Sequence, residues 1–250
     1  MTDLVIVRDD GPIRTLRMNR PDKKNALTLA MYEAMSAALE SAGHSPALRC
    51  VVIAGAAGAF CAGNDLADFL AMVENAEGLA APIMRFLHAL ARAEKPLVAA
   101  VSGLAVGIGT TMLLHCDHVV AGSDARFSTP FVQLGLVPEA GSSLIGPRRL
   151  GHARAFALLA MGRPLDAAAA HAAGIVNTVV APAEVDAEAM KAAREIAALP
   201  AQALAASRAL LRGTPDEIVA RIDEEAAEFK RRLASPEARA AFEAFFKRKK

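Results

Sequence analysis

Short apolar runs of strand length, each followed by a turn and then a stretch with helical periodicity, recur along much of this chain. Residues 50–54 form a continuous apolar run that leads into a glycine-rich turn at 55–63 and a helical pattern at 65–75. A helix at 79–94, Pro96 as punctuation, a strand at 97–101, a glycine-bearing helical stretch at 106–115 and a strand at 118–121 repeat the theme. One more strand, 175–180, precedes Pro182. Strands alternating with helices predict a layered α/β core containing parallel pairs. Ahead of it, β-rich runs at 4–8 and 13–18 joined by Asp9-Asp10-Gly11-Pro12 predict a hairpin. Residues 28–42 predict an amphipathic helix, with Leu29, Met31, Met35 and Leu39 at helical spacing and Gly43 just past its end.

From residue 184 the pattern becomes wholly helical, at 184–199, 201–211, 216–233 and 236–246. This divides the chain into a core at 1–195 and a helical region at 196–250. The helical region carries more apolar residues than one exposed face needs, so packing against a partner subunit is expected. With 250 residues, 54% of them hydrophobic, the chain can bury a large core. Twenty-eight Lys and Arg against 27 Asp and Glu leave no global field to recruit nucleic acid or a membrane. Trp is absent and Tyr occurs once, so stacking platforms for single strands are poorly supplied. Cys50, Cys61 and Cys116 are odd in number, lie in apolar stretches and form no CxxC pair, which argues for a reducing compartment and against a zinc site. No apolar run reaches membrane-spanning length, no N-terminal signal pattern is visible, and a cytoplasmic location is expected.

Two segments place glycines where a strand hands over to a helix: Phe60-Cys61-Ala62-Gly63-Asn64-Asp65-Leu66 and Gly103-Leu104-Ala105-Val106-Gly107-Ile108-Gly109. A helix N-terminus leaves backbone N–H groups unpaired with a partial positive charge, and glycine lets a ligand approach them. Two such turns together could hold one oxyanion; equally, they could be tight turns with Asn64 or Asp65 as an N-cap. Neither matches GxGxxG or GxxxxGK[ST], which disfavours nucleotide binding of those kinds.

Together with Arg20-Pro21-Asp22-Lys23-Lys24-Asn25-Ala26-Leu27, these segments resemble the crotonase superfamily of enoyl-CoA hydratases and isomerases. The likeness continues through Asp117-His118-Val119-Val120-Ala121, Phe127-Ser128-Thr129-Pro130 and Gly174-Ile175-Val176-Asn177. It implies a spiral of ββα units followed by C-terminal helices that assemble a homotrimer or hexamer. It also implies that the N–H groups of Asn64 and Ile108 form an oxyanion hole for a thioester carbonyl, and that the backbone from Lys24 to Ala26 and the Ala62 carbonyl frame the adenine end of coenzyme A. Lys247 is a candidate for reaching a neighbouring subunit's CoA phosphate. No separate cofactor and no metal are expected, because CoA is part of the acyl thioester substrate.

Hydratases of this family carry two glutamates, whose positions fall here on Thr111 and Phe131; neither is a carboxylate. Glu139 does appear, in Leu136-Val137-Pro138-Glu139-Ala140-Gly141-Ser142-Ser143, a segment similar to Δ3,Δ2-enoyl-CoA isomerases, whose single glutamate falls at this position. One base can take a proton and return it two carbons away, with no water to position. Pro138 also suits a helix start, so Glu139 reads equally as a first-turn acid favoured by the helix dipole. Leu66, Phe69, Leu70, Met72, Leu87 and Phe131 are candidates for lining an acyl pocket. The alternatives are a hydratase or other crotonase reaction relying on Asp65, and a catalytically silent acyl-CoA-binding member. His115, Cys116 and Asp117 are adjacent, so their side chains diverge and form no triad. No GxSxG elbow supports Ser142 or Ser143 as a nucleophile.

Overall fold

The computed structural model describes residues 3–56, 58–65, 68 and 78–247. The N-terminal hairpin is present as β1 (Val5–Asp10) and β2 (Ile13–Met18), antiparallel from Val5 opposite Met18 to Asp10 opposite Ile13. Three turns of a repeating unit follow, each contributing one long strand and one short one. They are β3 (Cys50–Gly55) with β4 (Ala59–Cys61), β5 (Leu97–Val101) with β6 (Leu104–Val106), and β7 (His118–Gly122) with β8 (Arg126–Ser128). β9 (Leu165–Asp166) and β10 (Thr178–Val180) complete the strands. The long strands sit in a six-stranded sheet of order β1-β2-β3-β5-β7-β10, parallel from β2 onward, and the short ones in a second sheet of order β4-β6-β8-β9. Because each coil adds one strand to each sheet in the same order, the chain climbs as a spiral.

The continuous apolar runs of β3 and β5 follow from burial on both faces. Val51, Ile53, Leu97, Ala99 and Val101 enter the main core together with residues of α1 (Leu29–His44) and α2 (Ala81–Arg92). The alternate residues Cys50, Val52, Ala54, Val98 and Ala100 pack in a second core with Val185, Ala189 and Ala193. Thr28 caps α1 by accepting a bond from the Met31 amide, but Gly43 lies inside this helix, which runs to His44. The stretch expected to be helical from 106 begins instead with β6; α3 (Ile108–Thr111) follows and tightens into a 3₁₀ turn, Met112–His115. The expected strand at 175–180 is shorter, Thr178–Val180, because its first residues follow the turn closing a preceding helix. Most of the helix expected at 65–75, with Leu66, Phe69, Leu70 and Met72, lies outside the described residues.

The remaining helices are α4 (Ser142–Leu150), α5 (His152–Ala155), α6 (Ala167–Ala172), α7 (Val185–Ala198), α8 (Ala201–Arg212), α9 (Pro215–Leu233) and α10 (Pro236–Lys247). The boundary at 195/196 falls inside α7, which covers one face of the six-stranded sheet. α9 returns to the main core through Ile218, Val219, Ile222, Phe229 and Leu233, so its apolar stripe is covered by its own chain. On α8, by contrast, Leu210 and Leu211 are 86% and 88% exposed, an apolar pair turned to solvent in the single chain. Among the described residues no helix is long and apolar enough to cross a membrane.

Candidate active site

The pairing of β4 with β6, Cys61 opposite Ala105, brings the two glycine turns side by side. Their contact is too close for side chains. A Cβ on Gly109 would sit 2.6 Å from the Cys61 carbonyl oxygen, and one on Gly63, whose φ is +94°, would sit 3.2 Å from the Val106 carbonyl oxygen. Gly107 starts α3 with φ +56° and ψ −120°, a conformation open to glycine. Leu27 donates to the Gly63 carbonyl and Asp65 to the Leu27 carbonyl, which leaves the intervening Asn64 amide without an acceptor among the described residues. The Ile108 amide, at the first position of its helix, likewise has none. Both residues line a cavity of about 1310 Å³.

The same cavity is lined by Lys24, Ala26, Ala62, Asp65, Phe131 and Glu139, so the described residues expected at the oxyanion hole, the base and the CoA contacts meet there. Lys24 and Asn25 both adopt positive φ, and the turn is tied to β4 by Ala62 donating to the Lys24 carbonyl and by buried Asn25 donating to the Ala59 carbonyl. Asp65 is held by Arg20 at 2.6 Å, an ion pair with both side chains largely covered. Leu87 is an ordinary core residue and does not reach the cavity.

Glu139 is 2% exposed. Its Oε1 accepts a long bond, 3.4 Å, from the Thr111 hydroxyl, and its Oε2 is buried with no partner among the described residues. Burial pushes its pKa up to about 8, the neighbouring Glu225 carboxylate adds to the rise, and the Thr111 hydroxyl opposes it. Glu139 is not a first-turn acid: α4 begins at Ser142, and the amides at its start are claimed by Glu225 of α9, which accepts from Gly141 at 2.6 Å and Ser143 at 2.8 Å. The turn between is unusual, since Ala140 has φ +63° without being glycine. Its carbonyl accepts from His115 Nε2 at 2.7 Å, and burial holds this imidazole neutral, its pKa down near 4.

Four residues of the site escaped the sequence reading. Tyr32 of α1 is buried and donates from its hydroxyl to Asn64 Oδ1, and desolvation, with Glu139 and Cys61 nearby, raises its pKa well above 10. Glu225 is the second; Phe229 and Phe242 of the C-terminal helices line the cavity beyond Leu134 and Leu136. His115, Cys116 and Asp117 diverge as expected, toward the Ala140 carbonyl, the Met112 carbonyl, and the Leu97 amide with Arg208. Burial raises the Cys61 and Cys116 thiols to about 12, which removes them as nucleophiles.

A coiled pair of sheets carrying two apposed amide turns, with the buried Glu139 carboxylate lining the same cavity, defines a crotonase fold. A structure described as an enoyl-CoA hydratase/isomerase from Pseudoalteromonas atlantica T6c matches 98% of both chains at 39% identity, with a TM-score of 0.93. The family model for enoyl-CoA hydratase/isomerase matches residues 9–250. A probable enoyl-CoA hydratase of Rhizobium meliloti is 35% identical over 81% of this chain and 79% of its own length. Enoyl-CoA delta isomerase 2 of Rattus norvegicus is 36% identical over 88% of this chain, which spans 57% of that longer protein. The chain belongs to the enoyl-CoA hydratase/isomerase family and is an enzyme of the crotonase superfamily.

Proposed function

We propose that this protein is a Δ3,Δ2-enoyl-CoA isomerase, moving the double bond of a 3-enoyl-CoA into conjugation with the thioester. The observation that carries this reading is Glu139, a buried carboxylate facing the cavity with one oxygen unpartnered among the described residues and a raised pKa. A hydratase needs two acids around a water, and the positions where they would stand are Thr111 and Phe131. The other carboxylates lining the described cavity are Asp22, exposed, and Asp65, held in an ion pair by Arg20.

In the proposed reaction Glu139 removes a proton from C2 of the 3-enoyl thioester. The electron pair moves to the thioester oxygen, giving a dienolate whose charge the Asn64 and Ile108 amides stabilise. Glu139 returns the same proton at C4, the carbonyl reforms and the double bond lies between C2 and C3. Preorganised donors matter here because a thioester α-proton is only weakly acidic; loss of one such donor typically costs about 10²–10³ in rate. A base with a pKa near 8 can both take and return the proton near neutral pH. Because the base must be ionised to act, kcat/KM is expected to rise with pH through about 8. Lys24, Ala26 and Ala62 would contact the adenine end of CoA, and Phe131 the acyl end.

Wild-type protein given a 3-enoyl-CoA should generate the conjugated-thioester absorbance, and Asp65→Asn should retain most of that turnover. A hydratase would instead bleach the absorbance of a supplied 2-enoyl-CoA, and an acyl-CoA-binding member without catalysis would do neither. Either outcome overturns the isomerase reading. We also propose a cytoplasmic homotrimer or hexamer, supported by the exposed Leu210 and Leu211 of α8. Sedimentation at micromolar concentration should give a species at least three times the monomer mass, and a stable monomer would exclude it.

A further inference from the structure

We infer that Glu225 is a positioning residue of this site: reaching over from α9, its carboxylate clamps the turn that carries Glu139 and sets a like charge beside it. The inference rests on Glu139 being the base, and it deepens that reading.

The geometry begins with a mismatch. α9 buries a stripe at Ile218, Ile222, Phe229 and Leu233, and Glu225 stands in the same stripe at 7% exposure. A carboxylate in an apolar stripe is costly unless its oxygens are satisfied. Both are: Oε2 accepts from the Gly141 amide and Oε1 from the Ser143 amide, flanking the start of α4. Two N–H donors on two oxygens favour the anion, as does the N-terminal end of the helix they begin. The segment so held starts directly after Ala140, whose left-handed backbone is unfavourable for a residue with a Cβ. His115 fixes the Ala140 carbonyl from the other side. Glu139 is therefore presented by a turn pinned at both ends, and one of the pins is a buried anion.

The remaining polar groups around the pair are few. Arg221, one turn earlier on α9, reaches the Ser143 hydroxyl at 3.4 Å and pairs with Glu224, and it favours ionised Glu225. Thr111 from α3, Tyr32 from α1 and Cys61 from β4 face Glu139, and all three are uncharged at neutral pH. Among the described groups, Glu225 is thus the like charge that acts on Glu139. Burial raises the pKa of Glu225 itself on balance, with the two amides, the Ser143 hydroxyl and Arg221 opposing the rise.

Glu225→Gln preserves shape, but it removes the charge and turns an NH₂ group toward an N–H donor. The acid limb of kcat/KM should move down by about one pH unit as Glu139 loses its like-charged neighbour. Turnover at the plateau should fall at least about tenfold through misplacement of Glu139, with little change in KM. Asp166→Ala, which removes the cap on α6 far from the cavity, serves as a control for lost capping: it should lower thermal stability and leave the acid limb where it is. An acid limb unmoved in folded Glu225→Gln overturns the proposal.

A second measurement needs no turnover and no Glu225 variant. Carboxyl-carbon NMR titration of the wild type should find Glu225 already ionised where Glu139 releases its proton, because the like charge must be present to act on the base. A Glu225 that titrates with or after Glu139 also overturns the proposal. Failure of the isomerase reading is separate, and appears as a wild-type protein that does not convert 3-enoyl-CoA.

Discussion

Glu139→Gln is expected to lose at least about 10²-fold, and up to about 10⁴-fold, in isomerisation while still binding acyl-CoA. The amide donors of Asn64 and Ile108 and the walls of the cavity do not depend on the carboxylate, so only the proton carrier is lost. The same substitution should change stability in the opposite sense. Folded Glu139 keeps its proton up to about pH 8, whereas an unfolded glutamate releases it near 4.5. Between those values the native state binds more protons, so this group's contribution to stability is whole below about pH 4.5 and is lost as pH rises through about 8. The loss is on the order of 5 kcal/mol. Urea unfolding at pH 4 and pH 9 should therefore show wild type declining relative to Glu139→Gln between the two. A parallel pH dependence would mean that the carboxyl is not held in its neutral form. Turnover within a few-fold of wild type would mean that Glu139 is not the proton carrier.

Gly109→Ala should be nearly as damaging, although it adds one methyl group and touches no titratable side chain. The added carbon would lie 2.6 Å from the Cys61 carbonyl oxygen and 2.9 Å from the Cys61 Cβ, and a backbone atom cannot swing away as a long side chain can. The turns must separate, and the Ile108 amide moves with its neighbour. Turnover should fall by about 10²–10³, the typical cost of one lost oxyanion donor, with a stability loss of roughly 1–3 kcal/mol from overpacking. Gly58→Ala offers a comparison, because nothing lies within 4 Å of its added carbon, although its φ of +93° adds strain. Equal activity in Gly109→Ala and wild type would show that the spacing of the two turns is not what sets the rate.

Much of the framework was legible because burial writes itself into the strands. β3 and β5 read as continuous apolar runs since α7 covers one face of their sheet and the α1 and α2 side covers the other. The short strands were not legible: β4, β6 and β8 have three residues each, too few to display a period, and Val106, the end of β6, reads with the helical pattern after it. Glu139, Asn64 and Ile108 were found through motif likeness, and their convergence depends on the β4 and β6 pairing that periodicity could not reveal. Glu225 left a trace that could have been read. It keeps the helical phase of Ile218, Ile222, Phe229 and Leu233, where a carboxylate needs a buried partner. Tyr32 left less, since a tyrosine next to Met31 in an amphipathic helix is ordinary core, and only the fold shows its hydroxyl meeting Asn64.

The placement of α9 and α10 bears on when, during its own synthesis, the molecule acquires its site. The glycine turns, the Arg20 loop and Glu139 all precede residue 140 and can assemble as the coils of the spiral stack. Glu225, Phe229 and Phe242 arrive later and complete the anchoring of Glu139 and the lining of the cavity. A nascent chain ending before α9 would carry every group assigned to the chemistry yet hold Glu139 on a turn with one pin missing and its surroundings open to water. In that state the carboxyl would titrate closer to an ordinary glutamate, and the reactive centre would be switched on only as the final helices close over it.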